Sequence, residues 1–397
     1  MTSRSSTLPS STISLKLLLP LLAAIIAMSP LAIDMYLPAM PVISLALDSN
    51  IAVVQNTLSV YLFGYAVGLL IFGPLADKHS RRLLVMLGVG GFTLTTLMLP
   101  WCQSIEQFFT LRFFQAMISS AATVVVPGTI REYYGDNSAK GFSYVSMIMM
   151  LAPMIAPSIG SALLVMHSWQ LIFYVLAIYS FIVFLLSYKY LPEVRRTTNH
   201  KKMSAFQRYK IVLANHKARA DLLSIMMISL AFFGYITAIP FIYLTVFKTS
   251  EFTFSILFAA NVLALMTAHF INTRLVVRKG SRTMLISGLV VATIASSGLM
   301  LVSYWQLPIQ YTVVTLLPLM GSFSMIAVNA EALLMKAFAE NAGTATAVIG
   351  TLRFGIGALA GPILTAFYDG SAFPFALLLW SSVMLVLLLQ CFRQLKY

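Results

Sequence analysis

Charge is scarce in this sequence. Asp, Glu, Lys and Arg make up 10% of its 397 residues, where soluble globular proteins carry about 25%. So few charged groups exclude a soluble enzyme, a secreted disulfide scaffold and a disordered tail, because most of the surface cannot face water. Catalytic signatures are missing as well. The chain has no His-Glu-x-x-His run, no Gly-x-Ser-x-Gly elbow and no Gly-rich phosphate loop, so neither hydrolysis within the membrane nor ATP-driven pumping is signalled. No cofactor and no metal are expected.

What is abundant is apolar sequence, at 59% of the chain. Runs such as residues 17–33 and 173–187 approach the roughly 20 residues that one helix needs to cross a bilayer. Breaking the chain at charges, Gly and Pro gives twelve expected spans, beginning near residues 15, 51, 83, 105, 140, 170, 220, 252, 283, 309, 343 and 373. The expected fold is an all-α, polytopic membrane protein. The first run has Lys16 before it, as a signal peptide has a basic flank. It lacks a small-residue cleavage site and continues into Asp34-Met35-Tyr36-Leu37-Pro38, so it reads as the first helix. Cys102 and Cys391 then fall at opposite membrane faces, too far apart to bridge.

The net charge of +14 is a topology signal and not a nucleic-acid signal. With the N-terminus inside, 23 of the 26 Lys and Arg fall in inward segments, and the positive-inside rule then places both termini in the cytoplasm. Eight of them lie in residues 191–219, the one long polar stretch. It separates an expected first half, residues 1–190, from a second, residues 220–397. Met203, Phe206 and Leu213 are spaced within it for one helical face, as in an amphipathic helix on an anionic leaflet. A plain solvated linker is the equal alternative. The halves echo each other: Lys78-His79-Ser80-Arg81 is matched by Lys279-Gly280-Ser281-Arg282, Pro157 by Pro362, and Pro38 by Pro240. Such a duplication of six-helix halves, with a site between them near the midplane, is a transporter architecture.

Three stretches carry chemistry. Gly73-Pro74-Leu75-Ala76-Asp77-Lys78-His79-Ser80-Arg81-Arg82 forms the short loop after the second span. There Gly73 is expected to admit a close neighbouring helix, and Asp77 to pair with nearby cations. Lys78, Arg81 and Arg82 also serve as topology determinants. Arg112, with Gln115, lies in the fourth span; it either faces a cavity or snorkels outward beside Glu106. Pro153, Ala156, Pro157 and Gly160 in the fifth span combine a bend with a small-residue packing face. The first stretch resembles the loop signature G-x-L-a-D-r-x-G-r-R of the major facilitator superfamily, with Ser80 in place of Gly. The second resembles its fourth-helix motif l-x-R-x-x-Q-G, whose arginine is linked to proton coupling. The third resembles its antiporter motif g-x-x-x-G-P-x-x-G-G, which favours export over uptake.

Asp34 stands out because it is the only carboxylate well inside the apolar spans of the first half. Burial holds a carboxyl in its protonated form, so this group suits proton uptake and release. The competing reading is an acid near an exposed helix end, since Pro38 and Pro41 follow. Asp34-Met35-Tyr36-Leu37-Pro38-Ala39-Met40-Pro41, Arg131-Glu132-Tyr133-Tyr134, Asn272-Thr273-Arg274 and Arg353-Phe354-Gly355-Ile356-Gly357 together resemble the Bcr/CflA branch of drug:proton antiporters. That resemblance implies twelve helices in two six-helix halves and a monomer in the bacterial inner membrane. It also implies proton-coupled export of small amphipathic drugs or metabolites, with protons and the bilayer as the other partners. Proton coupling is expected at Asp34 and Arg112, and the substrate cavity at Tyr36, Gln115, Met150 and Asn261. A proton-coupled importer is the nearest alternative, and a non-transporting receptor or scaffold a more distant one. Arg353 is open between interfacial anchor and cavity charge, Glu331 reads as interfacial, and His269 as a hydrogen-bonded packing residue.

Overall fold

The structure is a computed structural model that describes residues 15–76, 78–135, 138–191, 205–215, 218–338 and 342–395. Among these residues the regular elements are all helical. Eleven segments are long and apolar enough to cross a membrane. In order they are Leu17–Ala46, Ile51–Ala76, Arg81–Trp101, Ile105–Tyr134, Gly141–Met166, Trp169–Tyr190, Arg219–Val246, Glu251–Tyr304, Ile309–Ala337, Ala345–Ala366 and Phe373–Phe392. The eighth is 54 residues long, about twice what a bilayer needs. It breaks at Gly280, whose φ of 77° and ψ of 155° reverse the chain where a Cβ would be strained. This glycine therefore divides one segment into spans eight and nine, and the count is twelve.

Local chemistry sets the ends. Ser80, which stands where the superfamily signature has Gly, caps span three by accepting a hydrogen bond from the Leu83 amide at 3.2 Å. Span one is not one helix. Its helix Leu15–Asp34 stops, a 3₁₀ turn runs over Leu37–Ala39, and the helix Met40–Ala46 completes the span. Pro38 and Pro41, which cannot donate to a preceding turn, lie in that break. The exposed helix end considered for Asp34 is thus overturned: the chain stays helical beyond it, and Asp34 is buried.

The short helix Ala205–Ala214 marks one face of the bundle, called here the linker face. It packs on span eleven there, burying Val212 and laying Tyr209 against Thr351. Leu213, on the expected face, is exposed; Met203 and the Phe206 side chain lie outside the described residues.

The halves meet chiefly through two pairs of spans, two against eleven and five against eight, with smaller contacts from span one and between spans two and seven. The inter-half hydrogen bonds cluster toward the far face. Asn56 donates to the Thr365 hydroxyl at 2.9 Å, and the Gly361 amide donates to the Ser59 hydroxyl at 2.8 Å. Ser161 donates to the Glu251 carbonyl at 3.0 Å and lies 2.7 Å from the Ser255 hydroxyl. Toward the linker face the same pair of spans is loose. A Cβ on Gly350 would find only Leu69, at 3.9 Å, and one on Gly73 would find nothing within 4 Å. The expectation of a close helix approach at Gly73 is therefore wrong for this conformation. Spans two and eleven are thus bonded toward the far face and apart at Gly73 and Gly350.

Candidate functional site

The break in span one brings two side chains to the centre of the bundle. Asp34 is 2% exposed and Tyr36 is fully buried. The Asp34 Oδ1 atom has no hydrogen-bond partner. The Tyr36 hydroxyl lies 3.0 Å from that of Thr57, which in turn donates to the Val54 carbonyl at 2.6 Å. Span five holds this break in place. Gly160 sits so close to it that a Cβ there would run into the Met35 carbonyl oxygen, and Ala156, one turn away, is fully buried. Pro153 and Pro157 lie inside the helix Ser138–Met166 without ending it. The Pro157 carbonyl, 3.2 Å away, accepts from Ser255 of span eight.

Span four supplies the cation. Arg112 is fully buried, which removes the snorkelling alternative. Its guanidinium carbon is 4.4 Å from the centre of the Tyr61 ring and 4.5 Å from that of Tyr36, a cation–π arrangement that is strongest when desolvated. One terminal nitrogen donates to the Gln115 side-chain oxygen at 2.7 Å, and Gln115 donates onward to the Thr96 hydroxyl at 2.7 Å. The other terminal nitrogen and Nε have no partner. Gln115 spends both ends of its amide on Arg112 and Thr96, and so positions the arginine instead of presenting itself to a cavity.

The second half contributes groups that the sequence reading largely missed. Pro240 cannot supply an amide to the helix of span seven, and the next six residues, Phe241–Val246, run as a π-helix, a form that recurs at functional sites. Tyr243 lies on it and Tyr235 precedes it; both hydroxyls lie against the side chain of Asn261 from span eight. The Asn261 amide nitrogen donates to the Leu257 carbonyl at 3.0 Å, so its oxygen is the atom that faces the two hydroxyls. Tyr235 is also within electrostatic reach of Asp34. The signal was visible only as Pro240 and Asn261; the π-helix, its Tyr243 and the preceding Tyr235 were not.

Met150 is partly exposed on span five. In the loop after span two, Lys78 is exposed and Asp77 lies outside the described residues. Arg81, nearly buried, pairs with Glu132 at 2.5 Å. Arg82 donates to the Tyr188 carbonyl at 2.6 Å, joining spans three and six. Its echo in the second half, Arg282, bonds Gln390 and so joins spans nine and twelve. Arg353 pairs with Glu331 at 2.7 Å, each about a third exposed, and His269 lies 3.5 Å from the Ser324 hydroxyl.

A family model described as Major Facilitator Superfamily matches residues 22–362. The chain belongs to the Major Facilitator Superfamily. As a member it is a multi-pass membrane transporter and not an enzyme. Among its relatives is a bicyclomycin resistance protein homolog of Haemophilus influenzae, 29% identical over 87% of this chain and 88% of that one. A chloramphenicol resistance protein of Pseudomonas aeruginosa is 27% identical over 95% and 92% of the two chains. The crystal structure of the nucleoside transporter NupG superposes with a TM-score of 0.75 over 97% of this chain and all of that one, at 14% identity. That likeness shows a shared fold.

Proposed function

We propose that this superfamily member is a proton-coupled exporter of small amphipathic drugs or metabolites, working by alternating access in the bacterial inner membrane. The observation that carries the reading is Asp34: a buried, unpartnered carboxyl at a helix break, where span one meets the second half. An acid in such a place is a functional group by default. The resistance proteins among the relatives support the choice of drug-like compounds as cargo.

In this reading the linker face is cytoplasmic, as are both termini, in line with the basic residues gathered there. Residues 1–190 and 220–397 are the moving halves, residues 191–219 their connection, and the monomer the working unit. The conformation with spans two and eleven apart on the linker side takes its compound from the cytoplasm while Asp34 gives its proton to that side. After the halves rock, a proton from outside reaches Asp34 and the compound leaves. Arg112 senses the exchange through Tyr36, which stacks on it two residues from Asp34. Arg81, Arg82, Lys78, Gly73 and Asp77 act at the cytoplasmic closure of the first half. Pro153, Ala156, Pro157 and Gly160 hold span five against the break.

The test is compound-driven proton release in inside-out vesicles. Export predicts that adding a transported compound releases protons from energised vesicles carrying the protein and not from vesicles lacking it. Accumulation only in right-side-out vesicles under an inward proton gradient would instead make it an importer.

A further inference from the structure

A groove of about 660 Å³ runs between spans two and eleven. Span two lines it at intervals from Asn56 to Leu70, a rise of about 21 Å, so it follows the helices through more than one leaflet of about 15 Å. Phe63, Leu70 and Leu359 line it and are exposed, which opens it sideways to lipid. Inward of it the buried Tyr65 ring meets Phe354 at 4.5 Å, and Phe354 meets Phe233 of span seven at 5.5 Å. The far end is shut by the Asn56–Thr365 and Gly361–Ser59 hydrogen bonds. Among the described residues no charged side chain lines the groove, and its Thr351 hydroxyl is spent on the Ala347 carbonyl at 3.1 Å.

The other end lies at the linker helix, whose Tyr209 lines the groove. With Val212 buried against the bundle, that helix leaves Lys210, Ile211 and Leu213 exposed. A cation beside apolar side chains suits a helix lying in the headgroup layer. Arg219, also exposed, donates from Nε to the Leu213 carbonyl at 3.2 Å, so its side chain lies across the end of the helix. It begins span seven, which lines the groove two turns on at Met226. Asp221 is buried, so the exposed charge among the described residues of this stretch is positive. An apolar slot that runs down a leaflet from a cationic mouth complements a lipid with a hydrocarbon chain and a negative headgroup. We propose that spans two and eleven and the linker helix form a binding site for an anionic phospholipid of the linker-face leaflet. One acyl chain lies in the groove, and the phosphate lies against Lys210 and Arg219. The site does not depend on the exporter reading or on the cargo.

The experiment uses the full-length protein in phosphatidylcholine nanodiscs that hold a small fraction of phosphatidylglycerol with a diazirine in its acyl chain. Illumination followed by peptide mass spectrometry should place the label on Phe63, Val67, Leu70 and Leu359. Each cation near an anionic headgroup is worth a factor of about five, so Lys210→Gln and Arg219→Gln should each lower that labelling about fivefold. Phosphatidylcholine with the same diazirine should label the groove several-fold less, and equally in wild type and both variants. Val67→Trp fills the groove and should remove the label from Leu359. The two Gln variants alter exposed side chains and keep the result readable if Val67→Trp unfolds. Label spread evenly over the groove and over exposed positions elsewhere, such as Phe181 and Val314, overturns the site. Equal groove labelling by both headgroups, or no effect of either Gln variant, overturns the anionic class. Unchanged labelling in folded Val67→Trp overturns the placement of the chain. If excess transported compound displaces the label while excess unlabelled phosphatidylglycerol does not, the groove takes cargo and the lipid site falls.

Discussion

The guanidinium of Arg112 lies 4.4 Å from the ring centre of Tyr61, and both residues are fully buried. No carboxylate pairs with this arginine among the described residues. A buried cation is normally held by a counter-charge. Here aromatic faces and one side-chain amide take that place, which leaves the arginine free to respond to a charge that comes and goes nearby. Tyr61→Leu removes one face and should lower stability by about 1–2 kcal/mol, seen as a fall in the thermal midpoint of purified protein. Tyr61→Phe keeps the face, loses the hydroxyl contacts with Ser29, at 3.4 Å, and Ser119, and should cost less than Tyr61→Leu.

Two glycines distinguish a packing role from a signature. Gly160→Ala drives a Cβ into the Met35 carbonyl beside Asp34, an overpacking that should cost about 1–3 kcal/mol and depress transport. Gly73→Ala meets open space and should not destabilise the protein. A thermal-shift comparison of the two decides the matter. Equal destabilisation would contradict the conformation described.

The far-face contact between halves can be locked. Asn56 and Thr365 side chains touch at 2.9 Å, so Asn56→Cys with Thr365→Cys, in a background lacking Cys102 and Cys391, should cross-link under oxidation. Alternating access then predicts loss of transport in the cross-linked form and recovery on reduction. Undiminished transport by fully cross-linked protein would mean that these spans do not part.

The two ion pairs should differ in weight. The Arg81 side chain is 8% exposed and that of Arg353 is 34% exposed. Pairs open to water contribute about 0–1 kcal/mol, and burial raises the cost of losing a partner. Glu132→Gln should therefore lower the thermal midpoint more than Glu331→Gln.

Much of this was legible from residue types alone. The spans follow from long apolar runs, because a bilayer admits little else, and the break between spans eight and nine was visible in Lys279-Gly280-Ser281-Arg282. Asp34 and Arg112 were conspicuous because hydrocarbon excludes charge. The sandwich around Arg112 was not legible, since Tyr36 and Tyr61 are drawn from other spans and look like ordinary apolar filling. Asn56 and Thr365 are 309 positions apart, and no local pattern announces such a pair. Gly73 misled because a signature glycine does not say what its Cα faces, and here it faces open space. The π-helix escaped because a proline after a long helix signals an end or a kink, and here it starts a wider turn that carries Tyr243 to Asn261.

The central claim is that Asp34 carries the proton. Asp34→Asn keeps the size and polarity of the side chain and removes its titration, so purified protein in liposomes separates coupling from cargo binding. The account predicts that this variant exchanges labelled for unlabelled compound across the membrane at a rate comparable to wild type, yet no longer drives efflux in response to an imposed proton gradient. Gradient-driven efflux by Asp34→Asn at the wild-type rate would contradict it.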